Sequence, residues 1–276
     1  MKELLLIKIG GKLLRKPVMD SHLENITSLA KQAKHPIVVH GGGPEITEKL
    51  SLLGKKTRFV EGQRYTDRES LEIVEMVLAG INRRIVGRIN VLGGKAVGIS
   101  GKDGFLVEAK KLIGKHDLGF VAEVGKVNPE IIDVLLDKGF IPVISPMAMD
   151  RKGATYNINA DIFAAQFSAT IGAERLIFLT DVPGILGNPE DEKSVIAKIT
   201  VEEVKELIRR GAVKEGMIPK MDSCLEALRK GVKEIDILDG RKRNALSPLI
   251  DKRMRLAGTK IIEWKRGQAT FSHPCR

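Results

Sequence analysis

The chain has 276 residues, of which 43% are hydrophobic and 29% charged, and it carries a net charge of +11. This length supports one large α/β domain or two lobes with a sizeable core, and this composition excludes a disordered chain. No apolar run is long enough to span a bilayer, and two cysteines, Cys224 and Cys275, make no disulfide framework and fit a reducing cytoplasm. The positive charge reads first as a solvated basic surface and second as attraction of acidic ligands, such as nucleotides, or of an acidic protein partner. It does not mark a nucleic-acid binder, because the basic residues are spread along the chain among Asp and Glu and aromatics are only 4%.

Apolar, β-rich runs are predicted as strands at 4–9, 36–40, 95–100, 141–146, 175–181, 234–239 and 259–264. The first of them, in "MKELLLIKIGG", contains a lysine and has no cleavage site after it, so it reads as a strand rather than a signal peptide. Helical patterns fall between the strands, near 20–34, 44–54, 67–91, 128–139, 159–172, 200–211, 217–230 and 242–257. Thr66 with Glu69, and Thr200 with Glu203, have capping-box spacing. Residues 105–127 break the rhythm with short alternating runs around Gly114 and Gly119, as a β-hairpin would. Most strands are continuous rather than alternating, so helices should cover both faces of a mostly parallel sheet. The residues after Trp264 show no periodicity, and 267–276 is expected to be a disordered tail.

In open α/β sheets ligands bind beyond the carboxyl ends of the strands. Four such ends are rich in glycine and polar residues: 8–12, 40–44, 100–104 and 180–184. Lys8 sits at the end of the first strand just before Gly10 and Gly11, where its charge could meet a phosphate. Gly41, Gly42 and Gly43 precede a helix that starts near Pro44; this is either a tight turn or an anion site made by free amides and the helix dipole. No P-loop and no dinucleotide-binding glycine pattern occurs. Arg64, in a polar turn before a long helix, reads equally as a carboxylate grip or a surface arginine. Asn157, Asn159 and Asp161 alternate into a helix, and one cap cannot account for all three. Lys220 stands in the first turns of a helix, where the dipole disfavours it unless an anion is near. Two lysines, glycine amides, Asn and Asp suit phosphoryl transfer, in which positioning and charge neutralisation supply most of the catalysis.

At this point the chain resembles the amino-acid kinase family, and within it the N-acetyl-L-glutamate kinases. The resemblance runs from Lys8 to about Ile262 and rests on an ordered set: "KIGG", "VVHGGGP", "GQRYTD", "EMVLAGINRRIV", "GGKAVGISGKDG", "DLGFVAEV", "GFIPVISP", "YNINAD", "LIFLTDVPGIL", "GMIPK" and "KGVKEIDILDG". It implies a three-layer αβα sandwich with a mostly parallel central sheet. Residues 1–172 would bind the acceptor and form a dimer, and 173–266 would bind ATP. It implies ATP- and Mg2+-dependent phosphorylation of the γ-carboxylate of N-acetyl-L-glutamate in arginine biosynthesis. Lys8 and Lys220 would stabilise the transferring phosphoryl group and Asp161 would orient both. Gly10, Gly11, Gly42 and Gly43 would offer amides to phosphate and acceptor, and Arg64, Asn157 and Asn159 would hold the acceptor. ATP would contact Thr180, Asp181, Val182, Pro183, Gly184, Ile185 and Leu186, together with Ala212, Val213 and Lys214. No dedicated protein cage for a metal is implied.

The acceptor loop reads "GQRYTD" where "GLRVTD" is more usual, so Gln63 and Tyr65 could alter the pocket. The alternative acceptor is glutamate or aminoadipate linked to an acidic carrier protein; the short loop and the segment "NINAD" favour the free N-acetyl amino acid. A non-catalytic nucleic-acid-binding or regulatory role is the remote alternative. The expected assembly is a homodimer insensitive to arginine, with 75–94 as a candidate contact helix.

Overall fold

Leu4–Ile9 folds as β1, near the middle of an eight-stranded sheet. The computed structural model describes residues 3–15, 17–211, 213 and 217–263. A 3-10 turn at Gly11–Leu13 leads to α1 (Val18–Lys31), β2 (His35–His40) and α2 (Gly43–Leu52). A ribbon of β3 (Phe59–Val60) and β4 (Gln63–Arg64) precedes α3 (Arg68–Val91) and β5 (Ala96–Ser100). Then come the hairpin β6 (Val107–Lys111) and β7 (Ala122–Val127), α4 (Glu130–Asp137) and β8 (Ile141–Ser145). β9 (Met147–Met149), β10 (Thr155–Asn157), α5 (Ala160–Thr170) and β11 (Arg175–Thr180) follow. The last part holds β12 (Lys198–Thr200), α6 (Val201–Arg209), α7 (Ile218–Arg229), β13 (Glu234–Asp239), α8 (Ser247–Ile250) and β14 (Gly258–Ile262).

The large sheet has the order β12-β14-β13-β11-β1-β2-β8-β5, and every neighbouring pair is parallel except β13 with β14. From β1 the sheet grows both ways, through β2 on one side and β11 on the other. That reversal opens a crevice at the carboxyl ends of these three strands, where open α/β sheets bind ligands. A smaller sheet, β10-β9-β6-β7, stands apart from the large one.

Two apolar layers sandwich the large sheet, because successive side chains of a strand point to opposite faces. Leu5, Ile7 and Ile9 pack with residues of α1, α2 and α3. Leu6 packs on the other face with residues of α4, α5, α6 and α7. The three-layer αβα arrangement is therefore what continuous, doubly buried strands require. Among the described residues no helix is long and apolar enough to cross a membrane.

Two local expectations are corrected. The helix expected at 242–257 shrinks to the four residues of α8. Its buried residues Ala245, Leu246 and Leu249 fit within about one turn, and Asp251 is extended, with its carboxylate gripped by Arg253. The cap of α3 is Asp67 rather than Thr66: Asp67 accepts from the Ser70 amide at 2.7 Å, while the Thr66 hydroxyl donates to the Arg64 carbonyl. The capping box between Thr200 and Glu203 is present. The tail at 267–276 lies outside the described residues.

Candidate active site

Alternation along β1 sends Lys8 to the same face as Leu6, towards α5 and α7. There its Nζ meets Oδ1 of Asp161 at 2.7 Å, while Nζ of Lys220 meets Oδ2 of the same carboxylate at 2.7 Å. Asp161 lies in the first turn of α5, and Lys220 in the first turn of α7, which packs against α5. Lys220 also stands 4.9 Å from the ring centroid of Phe178, the β11 residue paired with Lys8. Three charges remote in sequence thus converge at one strand end. Burial lowers the pKa of Lys8, and attraction to Asp161 offsets only part of that. Burial would raise the Asp161 carboxyl, but the two lysines outweigh it and hold the acid well below the usual carboxylate range. An acid between two ammonium groups stays ionised and fixes both lysines.

The glycines form the wall facing this trio. Gly41 donates its amide to the Ile9 carbonyl at 3.0 Å, so the loop is pinned to the end of β1. None of residues 41–43 has a positive φ, so left-handed backbone is not why they are glycine. Gly42 is needed for packing: a Cβ there would lie 2.8 Å from Ile81 Cδ1 and Leu78 Cδ2 on α3. At Gly43 a Cβ would meet nothing within 4 Å. Gly11 is tight against this loop, since a Cβ on it would lie 3.0 Å from the Gly43 amide nitrogen. α2 starts at Gly43 with Pro44 next, so its unpaired amides and positive dipole end border the cleft.

Arg64 is a buried β4 residue rather than a turn residue. Its Nη2 donates to the Gly43 carbonyl at 3.0 Å and to Thr47 Oγ1 at 2.8 Å, and Nη1 donates to Thr57 Oγ1 at 3.2 Å. Its guanidinium also stacks 4.8 Å from the Phe59 ring centroid. A surface arginine is ruled out by this geometry. Asn157 ends β10, and Asn159 caps α5 by accepting from the amides of Asp161 and Ile162.

Lys8, Gly10, Gly11, Gly42, Gly43, Arg64, Asn157, Asn159, Asp161, Thr180, Asp181, Val182 and Lys220 all line one cavity of about 380 Å³. A second, mostly apolar cavity of about 110 Å³ adjoins it through Val182 and Met217. It is lined by Pro183, Gly184, Ile185, Leu186 and Val213. Gly184 has a φ of +146° and sits against Thr259, so glycine is required at that bend. Ala212 and Lys214 lie outside the described residues.

Sequence reasoning missed three contributors. Lys12, just after the glycine pair, reaches Asp181 Oδ2 at 2.6 Å across the mouth of the large cavity. His40 and Asn82 hold the glycine loop from behind. His40 Nδ1 donates to the Gly41 carbonyl at 3.0 Å, which leaves Nε2 to accept from Asn82 Nδ2 at 3.3 Å. Asn82 also donates to the Val143 carbonyl at 2.9 Å. Gly98 makes room for it, since a Cβ there would lie 1.9 Å from Asn82 Oδ1. A lone polar residue on the apolar stripe of α3 was the available signal for Asn82.

A family model described as "Amino acid kinase family" matches residues 3–239, and the chain belongs to that family. Among curated proteins, the chain is 46% identical over 253 residues to an acetylglutamate kinase from Archaeoglobus fulgidus, covering 88% of this chain and 87% of that protein. It is 45% identical to an acetylglutamate kinase from Carboxydothermus hydrogenoformans, covering 88% and 86%. Among solved structures, smu.665 from Streptococcus mutans is 27% identical with a TM-score of 0.81, covering 95% of this chain and 99% of that one. N-acetylglutamate synthase from Neisseria gonorrhoeae, solved with coenzyme A and N-acetyl-glutamate, is 21% identical with a TM-score of 0.85. The match covers 95% of this chain and 60% of that one, and it concerns the fold alone.

Proposed function

We propose that this chain transfers the γ-phosphoryl group of ATP to the γ-carboxylate of N-acetyl-L-glutamate, giving an acyl phosphate and ADP in arginine biosynthesis. One observation carries the reading: Asp161 bridges Lys8 and Lys220 at 2.7 Å each, at the end of a strand walled by glycine amides. Both reactants are anions, and a carboxylate is a poor nucleophile. Fixed positive charge between them lowers the barrier most where charge spreads over the transferring group. The curated relatives, 44–47% identical and named acetylglutamate kinases, support this acceptor over a carrier-linked amino acid.

In this reading Lys8 and Lys220 stabilise the transferring group and Asp161 keeps both in place. Gly10, Gly11, Gly42 and Gly43 offer amides to phosphate and acceptor oxygens. Arg64, Asn157 and Asn159 hold the acceptor on the β4 and β10 side. Thr180, Asp181 and Val182 border the phosphates, and the smaller apolar cavity takes the adenine. Residues 1–172 form the acceptor lobe and 173–266 the nucleotide lobe, although the two share one sheet. Among the described residues no group of three His, Cys, Asp or Glu side chains is placed to hold a metal. Mg2+ would accompany ATP on phosphate oxygens and water, with Asp181 as the nearby carboxylate, and would neutralise phosphate charge. The working compartment is the cytoplasm, and nucleic acid is not a partner.

The assembly is a homodimer. α3 exposes Met76, Gly80 and Gly87 beside β5, the edge strand of the large sheet, and a second copy would cover that face. Sedimentation at several concentrations tests this; a monomer throughout would refute it. The activity is tested by ADP release with N-acetylglutamate, glutamate, aspartate, carbamate, uridine monophosphate and carrier-linked glutamate or aminoadipate. Turnover confined to N-acetylglutamate is expected. Preference for any other acceptor refutes the assignment.

A further inference from the structure

We propose that Lys12 is a third phosphate-binding lysine, parked on Asp181 across the mouth of the cleft until a nucleoside triphosphate draws it onto phosphate. This rests on the reading that ATP occupies the cleft. Lys12 lies in the 3-10 turn at Gly11–Leu13, immediately after the glycine pair that ends β1. Asp181 follows directly on the end of β11, the strand beside β1. Their ion pair, 2.6 Å between Nζ and Oδ2, therefore spans the crevice between the two strand ends.

The exposure of the pair fits a releasable latch rather than a structural strap. The Lys12 side chain is 70% exposed and that of Asp181 43%, so water competes for both and the pair is weakly held. The trio beneath is the opposite, with Lys8 and Lys220 only 9% and 11% exposed. Those two are committed to one carboxylate, and Arg64 is committed to the Gly43 carbonyl and two threonines. Among the described residues the cavity is lined by four cations, Lys8, Lys12, Arg64 and Lys220, and two carboxylates, Asp161 and Asp181. Of the four, Lys12 alone carries an arm free to move without opening buried contacts. A triphosphate concentrates several negative charges in this cleft and outbids one exposed carboxylate for an ammonium. Asp181 is released by the same exchange.

The test is calorimetric binding of a non-hydrolysable ATP analogue, ADP and AMP to wild type, K12M, K12R and D181N, all in EDTA so that no cation bridges Asp181 to phosphate. Wild-type binding of adenine nucleotides checks the underlying reading by itself; no binding would overturn the site assignment rather than the latch alone. With binding established, K12M should weaken the triphosphate analogue about tenfold or more, as loss of a charge-assisted hydrogen bond would, and leave AMP within about twofold. K12R should recover most of that loss. D181N should tighten the triphosphate, because the competing carboxylate is gone. Equal weakening of all three nucleotides by K12M, or no weakening, overturns the proposal. So does weaker triphosphate binding by D181N, which would make the pair a strap.

Discussion

Asp161 Oδ1 lies 2.7 Å from Lys8 Nζ, an ion pair that joins the first turn of α5 to the end of β1. Lys220 occupies the other oxygen of the same carboxylate. The pair therefore works as a bracket: the acid sets where the ammonium groups stand, and the lysines keep the acid ionised.

Removing one arm of the bracket tests its purpose. Lys8→Ala should lower turnover by about 10²-fold or more, the scale seen when one preorganised electrostatic contact is lost. Asp161 keeps Lys220, so the carboxylate is not left bare and the fold should persist. Turnover beside a thermal melt and circular dichroism checks this; wild-type-like turnover would sink the role of Lys8.

The same group should set an alkaline limit. Burial lowers the Lys8 pKa below its ordinary value of 10.5, with the Asp161 charge offsetting part of the effect. As pH rises through that lowered value the ammonium loses its proton, and kcat/KM should fall before pH 10.5 is reached. Bound polyanions favour the charged lysine, so the limb in kcat should lie at higher pH than the limb in kcat/KM. Coincident limbs in the two profiles would refute this.

Gly42 and Gly43 should separate in mutagenesis. Gly42→Ala pushes a methyl into Ile81 and Leu78 and should destabilise the fold by about 1–3 kcal/mol, the usual cost of overpacking. Gly43→Val points into open space, so its melting temperature should stay close to wild type while turnover collapses. Paired melts and assays check this, and a fold lost at Gly43 with activity kept at Gly42 would reverse the assignment.

Acid should weaken the loop through His40. Burial lowers its pKa to about 4, against the opposing hydrogen bond to Gly41. An unfolded histidine titrates near 6.5, so between about pH 6.5 and 4 the unfolded chain binds a proton that the folded one refuses. The contribution of His40 to stability is complete above 6.5 and is lost progressively towards 4, by up to about 3 kcal/mol. Urea titrations of wild type and His40→Asn across that range check it: the variant should lose that part of the slope.

Much of the fold was legible because most of the seven apolar runs, those of β1, β2, β8, β11 and β13, are strands buried on both faces, and burial leaves a run of Val, Ile and Leu as its trace. Short pieces were less legible. β12 has three residues and the β3–β4 ribbon two strands of two, lengths at which alternation carries almost no signal. In the site, Lys8 was legible as a charge in an apolar strand. Arg64 was not, because a two-residue strand looks like a turn and its burial comes from Phe59 and Thr47 folding over it. Gly42 looked like a phosphate glycine, yet its packing requirement is set by α3, many residues away in sequence.

Cys224 is fully buried in α7, one turn beyond Lys220, and burial pushes its thiol up to about 12. A thiol so protonated is inert to alkylation and to mild oxidants while the chain stays folded. In a Cys275→Ser background it becomes an internal clock. Its rate of labelling then reads how often the layer of α5 and α7 opens to solvent, and slower labelling with nucleotide present would measure how firmly the ligand locks that layer shut.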